Sequence, residues 1–295
     1  MKIEIRIPAQ PSERVLAQLS FYSHSIKQLD WGDLQIQLKV FFPKAPSRAA
    51  IEKWKPYLQG VDLQVCEASH PLAHIDQCYL EEPGDSDFIL FSRSEGFFIE
   101  SIETKIKDLG QSQSIAGVIA FAPFPSSEQK PDDRWAAVFE SAGLPLPSFP
   151  YYYSHRPRIK TPFYPNMGMV IAPSGLWHAH QNTYARLVNQ LKEQLDHPEF
   201  SHQIGLTLLI YKEGIRHEAL SLEYNFPNDD KAMATRTHDK NNIKFCYYLR
   251  DDNHDYKSTL LTQERFYDYL FADFRRSDAI IQNSMKSVSG GLWPF

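Results

Sequence analysis

The sequence predicts an α/β fold, a single domain with a mostly parallel mixed sheet and helices on both faces, and three observations carry that reading. Residues 3–7 and 34–43 alternate apolar with polar side chains, and a helix-patterned stretch lies between them, which makes a βαβ unit. Residues 88–91, Phe-Ile-Leu-Phe, form a short unbroken apolar run between turn formers, as a strand buried on both faces does. Residues 177–195 place Tyr184, Leu187, Val188, Leu191 and Leu195 at three- and four-residue spacing, the pattern of one buried helix face. No repeat or low-complexity linker divides the 295 residues.

Composition bounds the function. A hydrophobic content of 42% with 13% aromatic supplies a core, and 20 prolines with 13 glycines imply many short connections. A net charge of -5 with scattered basic groups argues against nucleic acid, whose phosphates select clustered Lys and Arg. Cys66, Cys78 and Cys246 have no metal-type spacing and read as reduced thiols. The first residues alternate like a strand and carry no signal-type apolar region. The longest apolar run, 115–124, is too short for a membrane span of about 20 residues. A cytoplasmic protein with no transmembrane segment is expected, with its oligomeric state open.

The elements follow in order. Ile3, Ile5 and Ile7 share a face of the first strand, which Pro8-Ala9-Gln10-Pro11 stops. Ser12 reads as a helix N-cap with Glu13 in the first turn, and Val15, Leu16, Leu19 and Tyr22 share a side. Parallel sheets bind ligands beyond the carboxyl ends of their strands, so the turn from Pro8 to Arg14 is either the first wall of a site or a plain connection. A short helix over 49–58 and an alternating strand over 61–65 come next. His70 and His74 are four residues apart, but Pro71 lies in that turn and no third ligand is specified, so no metal site is assigned.

After strand 88–91 come a short helix over 103–109 and a small-residue strand over 114–122. A polar loop over 126–133 leads to a helix with Trp135, Val138, Phe139 and Ala142, ended by Gly143. Tyr151, Tyr152 and Tyr153 interleave with His155, Arg156, Arg158 and Lys160, a stacking surface or an aromatic loop on the core. Asn166 and Gly168 open an apolar strand, with Asn166 suited either to sugar hydroxyls or to an Asx turn. His202-Gln203 opens a second apolar segment, and residues 220–229 close this central block. A last strand over 243–250, a C-terminal helix over 262–274 and a tail over 290–295, either a lid or an unstructured end, complete the chain.

This order of pieces resembles the acceptor half of GT-A-fold glycosyltransferases, which take a sugar from a nucleotide diphosphate. The family's Phe-Asn-Ser-Gly turn has its counterpart in Tyr164 to Gly168, its Asp-Gln pair in His202-Gln203, and its Tyr-Asn segment in Tyr224-Asn225-Phe226. Three departures stand out. His202 replaces the aspartate, Ser92-Arg93-Ser94 stands where the metal-binding Asp-x-Asp belongs, and Tyr247 and Tyr248 stand near the place of a metal-binding histidine. Asp85-Ser86-Asp87 spells the motif but precedes its strand, which puts it about 15 Å away at the opposite edge of the sheet.

The resemblance implies a nucleotide sugar as donor substrate and a hydroxyl acceptor, with a divalent metal doubtful. It implies a single domain over 1–295, in which 1–125 is the nucleotide-binding half and 126–295 the acceptor half with the C-terminal helix and tail. Pro8, Ala9, Arg14, Ser92, Arg93 and Ser94 would hold the nucleotide, Arg93 offsetting diphosphate charge through its guanidinium fork. Asn166 and Gly168 would meet the donor sugar, while His202, as proton acceptor, and Gln203 would be catalytic. The alternative from another class is a catalytically inactive binding or assembly module on the same fold. A nucleotidyltransferase is disfavoured because no Gly-rich, Lys-containing phosphate loop follows the first strand.

Overall fold

The computed structural model describes residues 1–66, 70–125, 130–235, 242–248, 255 and 258–294. The first half runs β1 (Lys2–Pro8), α1 (Glu13–Lys27), β2 (Gln35–Phe42), α2 (Arg48–Trp54), β3 (Val61–Val65), α3 (Ala73–Leu80), β4 (Phe88–Ser92), β5 (Gly96–Phe98), α4 (Glu103–Ser112) and β6 (Ile115–Ile119). The middle of the chain adds α5 (Pro131–Ser141), β7 (Tyr151–Tyr153), β8 (Arg156–Thr161), β9 (Pro165–Pro173), α6 (Ser174–Gln194) and α7 (Ser201–Glu213). The last part holds β10 (His217–Leu220), β11 (Phe226–Pro227), α8 (Asp230–Thr235), β12 (Phe245–Tyr247), α9 (Gln263–Phe271) and α10 (Arg276–Ser289).

The main sheet has seven strands in the order β10-β6-β9-β4-β1-β2-β3. All its pairs are parallel except those of β9, which runs antiparallel to both β4 and β6. The expected βαβ unit is β1-α1-β2, and Ser12 caps α1 by accepting from the Val15 amide. Alternate strand residues feed two cores. Ile3, Ile5 and Ile7 face α1, α9 and α10, while Ile89 and Phe91 face α5, α6 and α7. Helices therefore cover both faces, as predicted, and β4 is buried along its whole length. A second, three-stranded sheet pairs β12 with β11 and β5.

Two charged positions of β1, Glu4 and Arg6, are buried. Glu4 and Arg6 form a buried ion pair, and Arg6 also donates to the carbonyls of Cys78, Glu81 and Glu82 beyond the middle of α3. A buried guanidinium is tolerable because its donors are used. Asp85 and Asp87 lie at the opening edge of the sheet, where Asp85 pairs with Lys2 and Asp87 accepts from the Lys2 amide at 2.8 Å.

The C-terminus differs from the expected single helix over 262–274. α9 ends at Phe271, and Gln282 of α10 donates to the Tyr269 and Ala272 carbonyls at 2.7 and 2.8 Å, satisfying the end of α9 as the chain turns back. The tail is anchored too: the Trp293 indole donates to the Leu260 carbonyl and packs edge-on against Trp54. The predicted 126–129 part of the polar loop, residues 249–250 of the last strand and Phe295 lie outside the described residues.

Candidate functional site

Three chain segments meet at one edge of the main sheet because of strand direction. β1 and β4 are parallel and end there at Pro8 and Ser92, while antiparallel β9 begins there at Pro165, with Ser92 opposite Met169. The segment after β1, the residues after β4 and the start of β9 thus surround a cleft of about 470 Å³. Pro8, Ala9, Arg14, Arg93, Ser94, Asn166, Gly168 and Gln203 all line it, so eight of the ten residues expected from the sequence come together. A second cavity, of about 300 Å³, lies between α5 and the end of α6, and none of the ten reaches it.

Ser92 is the first exception. It is fully buried below the cleft, where it accepts from the Tyr22 hydroxyl and donates to the Gly168 carbonyl, both at 3.0 Å. Its role is to tie β4 to β9 and α1, not to touch a ligand. His202 is the second. It does not line the cleft, and both of its ring nitrogens are engaged: Nδ1 with the Tyr184 hydroxyl at 2.9 Å, Nε2 with Asp76 at 2.8 Å. A carboxylate only accepts, so Nε2 carries the proton and Nδ1 accepts from Tyr184. Burial lowers the His202 pKa more than Asp76 raises it, which keeps the ring neutral. A base so committed has no free lone pair for an acceptor hydroxyl, and the catalytic expectation for His202 gives way to a positioning one.

Arg93 stands one residue past the end of β4, and its guanidinium forms no hydrogen bond or ion pair with any described residue. Burial opposes its charge, while Tyr79, Tyr247, Glu95 and Cys78 together raise its pKa above the ordinary arginine value; of these only Glu95 is anionic at neutral pH. Arg14, from the first turn of α1, adds a second cation to the lining. Ser94 donates to Glu95 at 3.1 Å and to Gln18 at 3.3 Å, which fixes the chain just past Arg93. The lining therefore carries a net positive charge ready for an anion.

Asn166 and Gly168 hold the opposite wall. The Gly168 amide donates to the Asn166 side-chain oxygen at 2.7 Å, an Asx turn, and the buried Asn225 amide donates to the same oxygen at 3.0 Å. A Cβ on Gly168 would lie 2.8 Å from that oxygen, so the glycine is required by close approach. The Asn166 carbonyl is thus occupied, which leaves its NH2 as the group for a ligand. Gln203, in the first turn of α7, reaches the cleft beside Phe200.

Tyr247 and His74 are among the lining residues that carried no binding role in the sequence. Tyr247 enters because β12 pairs antiparallel with β5, which sets it opposite Gly96. His74 enters on α3, and His70 does not join it, pairing instead with Asp76 at 2.9 Å. The donor set does not fit a divalent ion. Among the described lining residues Glu95 is the one carboxylate and His74 the one imidazole, a guanidinium shares the space, and no group of three potential ligands occurs among the described residues. The hairpin of β7 and β8 lies apart from this lining. Its Tyr153 is buried under Trp135, whose indole donates to it at 2.9 Å, whereas Tyr152 is exposed beneath Lys160.

By sequence, no protein-family model and no curated protein matches the chain. By structure, it is similar to the galactosyltransferase LgtC, solved in complex with donor and acceptor sugar analogs, with a TM-score of 0.55 and 15% identity over 100% of this chain and 97% of that one. The apo structure of WbbM, a bifunctional glycosyltransferase, matches with a TM-score of 0.56 and 15% identity over 90% of this chain and 51% of that one. Apo mouse xyloside xylosyltransferase 1 matches with a TM-score of 0.50 and 10% identity over 83% and 97%. No helix among the described residues is long and apolar enough to cross a membrane.

Proposed function

We propose, on the premise that the chain has the GT-A glycosyltransferase fold, that it binds a nucleotide sugar in this cleft and transfers the sugar to a hydroxyl acceptor without a divalent metal. The observation that carries the reading is Arg93, a cation with no hydrogen-bond or ion-pair partner among the described residues, at the strand end where the fold family keeps its metal-binding carboxylates. A guanidinium holds a diphosphate by charge and by a planar fork of donors, so it offsets the charge that grows on the leaving group. Pro8, Ala9 and Arg14 form the nucleotide wall; the Asn166 amide and the Gly168 backbone meet the sugar, and Gln203 orients the acceptor.

In the transfer, the bond between the sugar's anomeric carbon and the diphosphate oxygen breaks, and its electron pair leaves with the diphosphate. The acceptor oxygen bonds to that carbon and its proton passes to Glu95, the carboxylate of the lining. His202 acts at one remove by holding Asp76, and with it the α3 wall.

A second reading, a module that binds the donor without using it, is favoured by the replacement of both metal anchors by Ser92-Arg93-Ser94 and Tyr247. Thermal unfolding against UDP-, GDP-, CMP- and TDP-sugars, each with manganese and with chelator, tests the proposal. A ligand at about 100 times its Kd adds roughly 2.7 kcal/mol. A donor-specific shift that survives chelation supports it, a shift that needs manganese overturns the metal-free part, and no shift with any donor overturns the reading. A donor bound but never consumed with a panel of hydroxyl acceptors selects the non-catalytic module.

A further inference from the structure

His74 is 2% exposed, lines the cleft, and its Nδ1 is buried without a hydrogen-bond partner among the described residues. An imidazole nitrogen so placed is costly unless something outside the chain completes it. α3, which carries it, is held from several sides. Arg6 takes the Cys78 carbonyl, Trp177 donates to the Tyr79 carbonyl at 3.0 Å, and His202 and Lys192 both engage Asp76. The ring is therefore presented to the cleft by a wall that has little freedom to withdraw it.

The charged and titratable groups around His74 come from four elements. Arg93 and Glu95 follow β4, Arg14 opens α1, Tyr247 ends β12, and Asp76 sits on α3 itself with its carboxylate already taken by His202, Lys192 and His70. Burial and then Arg93 push the His74 pKa down, against a smaller upward pull from Asp76, so the free ring is neutral. A doubly charged anion set against the ring would reverse that balance, because it screens Arg93 and itself favours an imidazolium.

We propose that His74 is the second half of the anion site: with Arg93 it takes the donor's diphosphate, and it gains a proton as the diphosphate enters. This rests on the reading of the cleft as a nucleotide-sugar site. The imidazolium then donates to the diphosphate, so two protein cations stand where the fold family uses one metal ion. Linkage fixes the sign. The free pKa lies below 6.5 and the bound pKa above the free one, so affinity is level below the free pKa, falls as pH rises through the window between them, and levels again above it. One proton taken up limits the fall to about tenfold per pH unit.

The experiment is titration calorimetry of the full chain with UDP-, GDP- and TDP-sugars, whose diphosphate diesters keep their charge from about pH 5.5 to 8, in two buffers of different ionisation heat. The buffer difference counts protons directly. Uptake approaching one proton in that window, abolished in His74→Gln together with the pH dependence, is expected, and the exposed control His197→Gln should leave both unchanged. Binding by the wild type with no proton uptake overturns the role of His74 while leaving the nucleotide-sugar reading intact. No binding of any of the three overturns both. Should His74→Gln fail to fold, the wild-type proton count alone decides.

Discussion

Replacing Arg93 by methionine should leave the stability of the free protein nearly unchanged and make the cleft less able to bind. The side chain is of similar length, so packing is kept. Arg93 has no hydrogen bond or ion pair to lose among the described residues, and the burial that opposes its charge is offset by the neighbouring groups, Glu95 among them, that raise its pKa. With these effects opposed, the free protein should change by no more than about 0.5 kcal/mol, the range of a substitution that breaks no specific interaction. For a chain of this length each 1 kcal/mol moves Tm by roughly 2 °C, so a shift within about 1 °C is expected. Against this, one charge-assisted contact to a diphosphate is worth about 1.5–3 kcal/mol, a loss of roughly 10- to 150-fold in affinity. Thermal unfolding of Arg93→Met with and without the nucleotide sugar reads both numbers in one experiment. A variant that melts earlier yet binds as tightly would show that Arg93 is an ordinary packing residue.

Three further changes test the surroundings. Gly168→Ala drives a methyl to within 2.8 Å of the Asn166 oxygen and should break its hydrogen bond to the Gly168 amide, costing about 1–3 kcal/mol and weakening donor binding in the same calorimetric assay. Gly96→Ala sets a Cβ 2.1 Å from the buried Phe245 ring; overpacking of about 1–3 kcal/mol should lower the denaturation midpoint and displace Tyr247 across the strand pair. Asp76→Asn should destabilise by about 1–3 kcal/mol at neutral pH by removing the carboxylate charge that Lys192 and His202 share and setting an amide donor among donors. Asp76 is held below its ordinary value of 3.8, with burial opposing and His202 and Lys192 prevailing. Its contribution is therefore present above pH 3.8 and lost as pH falls through the lower folded value. The gap in Tm between wild type and Asp76→Asn should close in that acid window.

Much of the cleft was legible because strand ends are legible. Pro8 stops an alternating strand, Arg93 follows a four-residue apolar run, and Asn166 and Gly168 open another, and each of these signals marks a sheet edge. That β9 is antiparallel, which is what brings Asn166 to the same edge as Arg93, follows from tertiary pairing and leaves no mark in the local pattern. His202 and Gln203 are neighbours in sequence but about 100° apart around a helix. His202 shares the buried side with Leu206 and Leu209, and that spacing was the available sign that it belongs inside. His74 was hidden by a weak apolar pattern and by its spacing from His70. α10 was missed because its fully buried residues mix Ile281 and Met285 with Ser277, Gln282 and Ser289, while Ile280 and Val288 are only partly buried against the core. Its burial comes from small polar side chains that a search for hydrophobic period passes over.

The antiparallel insertion of β9 also bears on how the chain is made. β4 and β6, at 88–92 and 115–119, leave the ribosome well before the strand that must lie between them, at 165–173. Until then each presents an open edge of unpaired amides and carbonyls, and β6 waits longer still for β10 at 217–220. The first half cannot close its own sheet, so the nascent chain has no early resting point in which that half stands alone. Synthesis of the second half is thus the event that completes the sheet begun by the first, and a chain cut after residue 125 would expose the unpaired edges of β4 and β6.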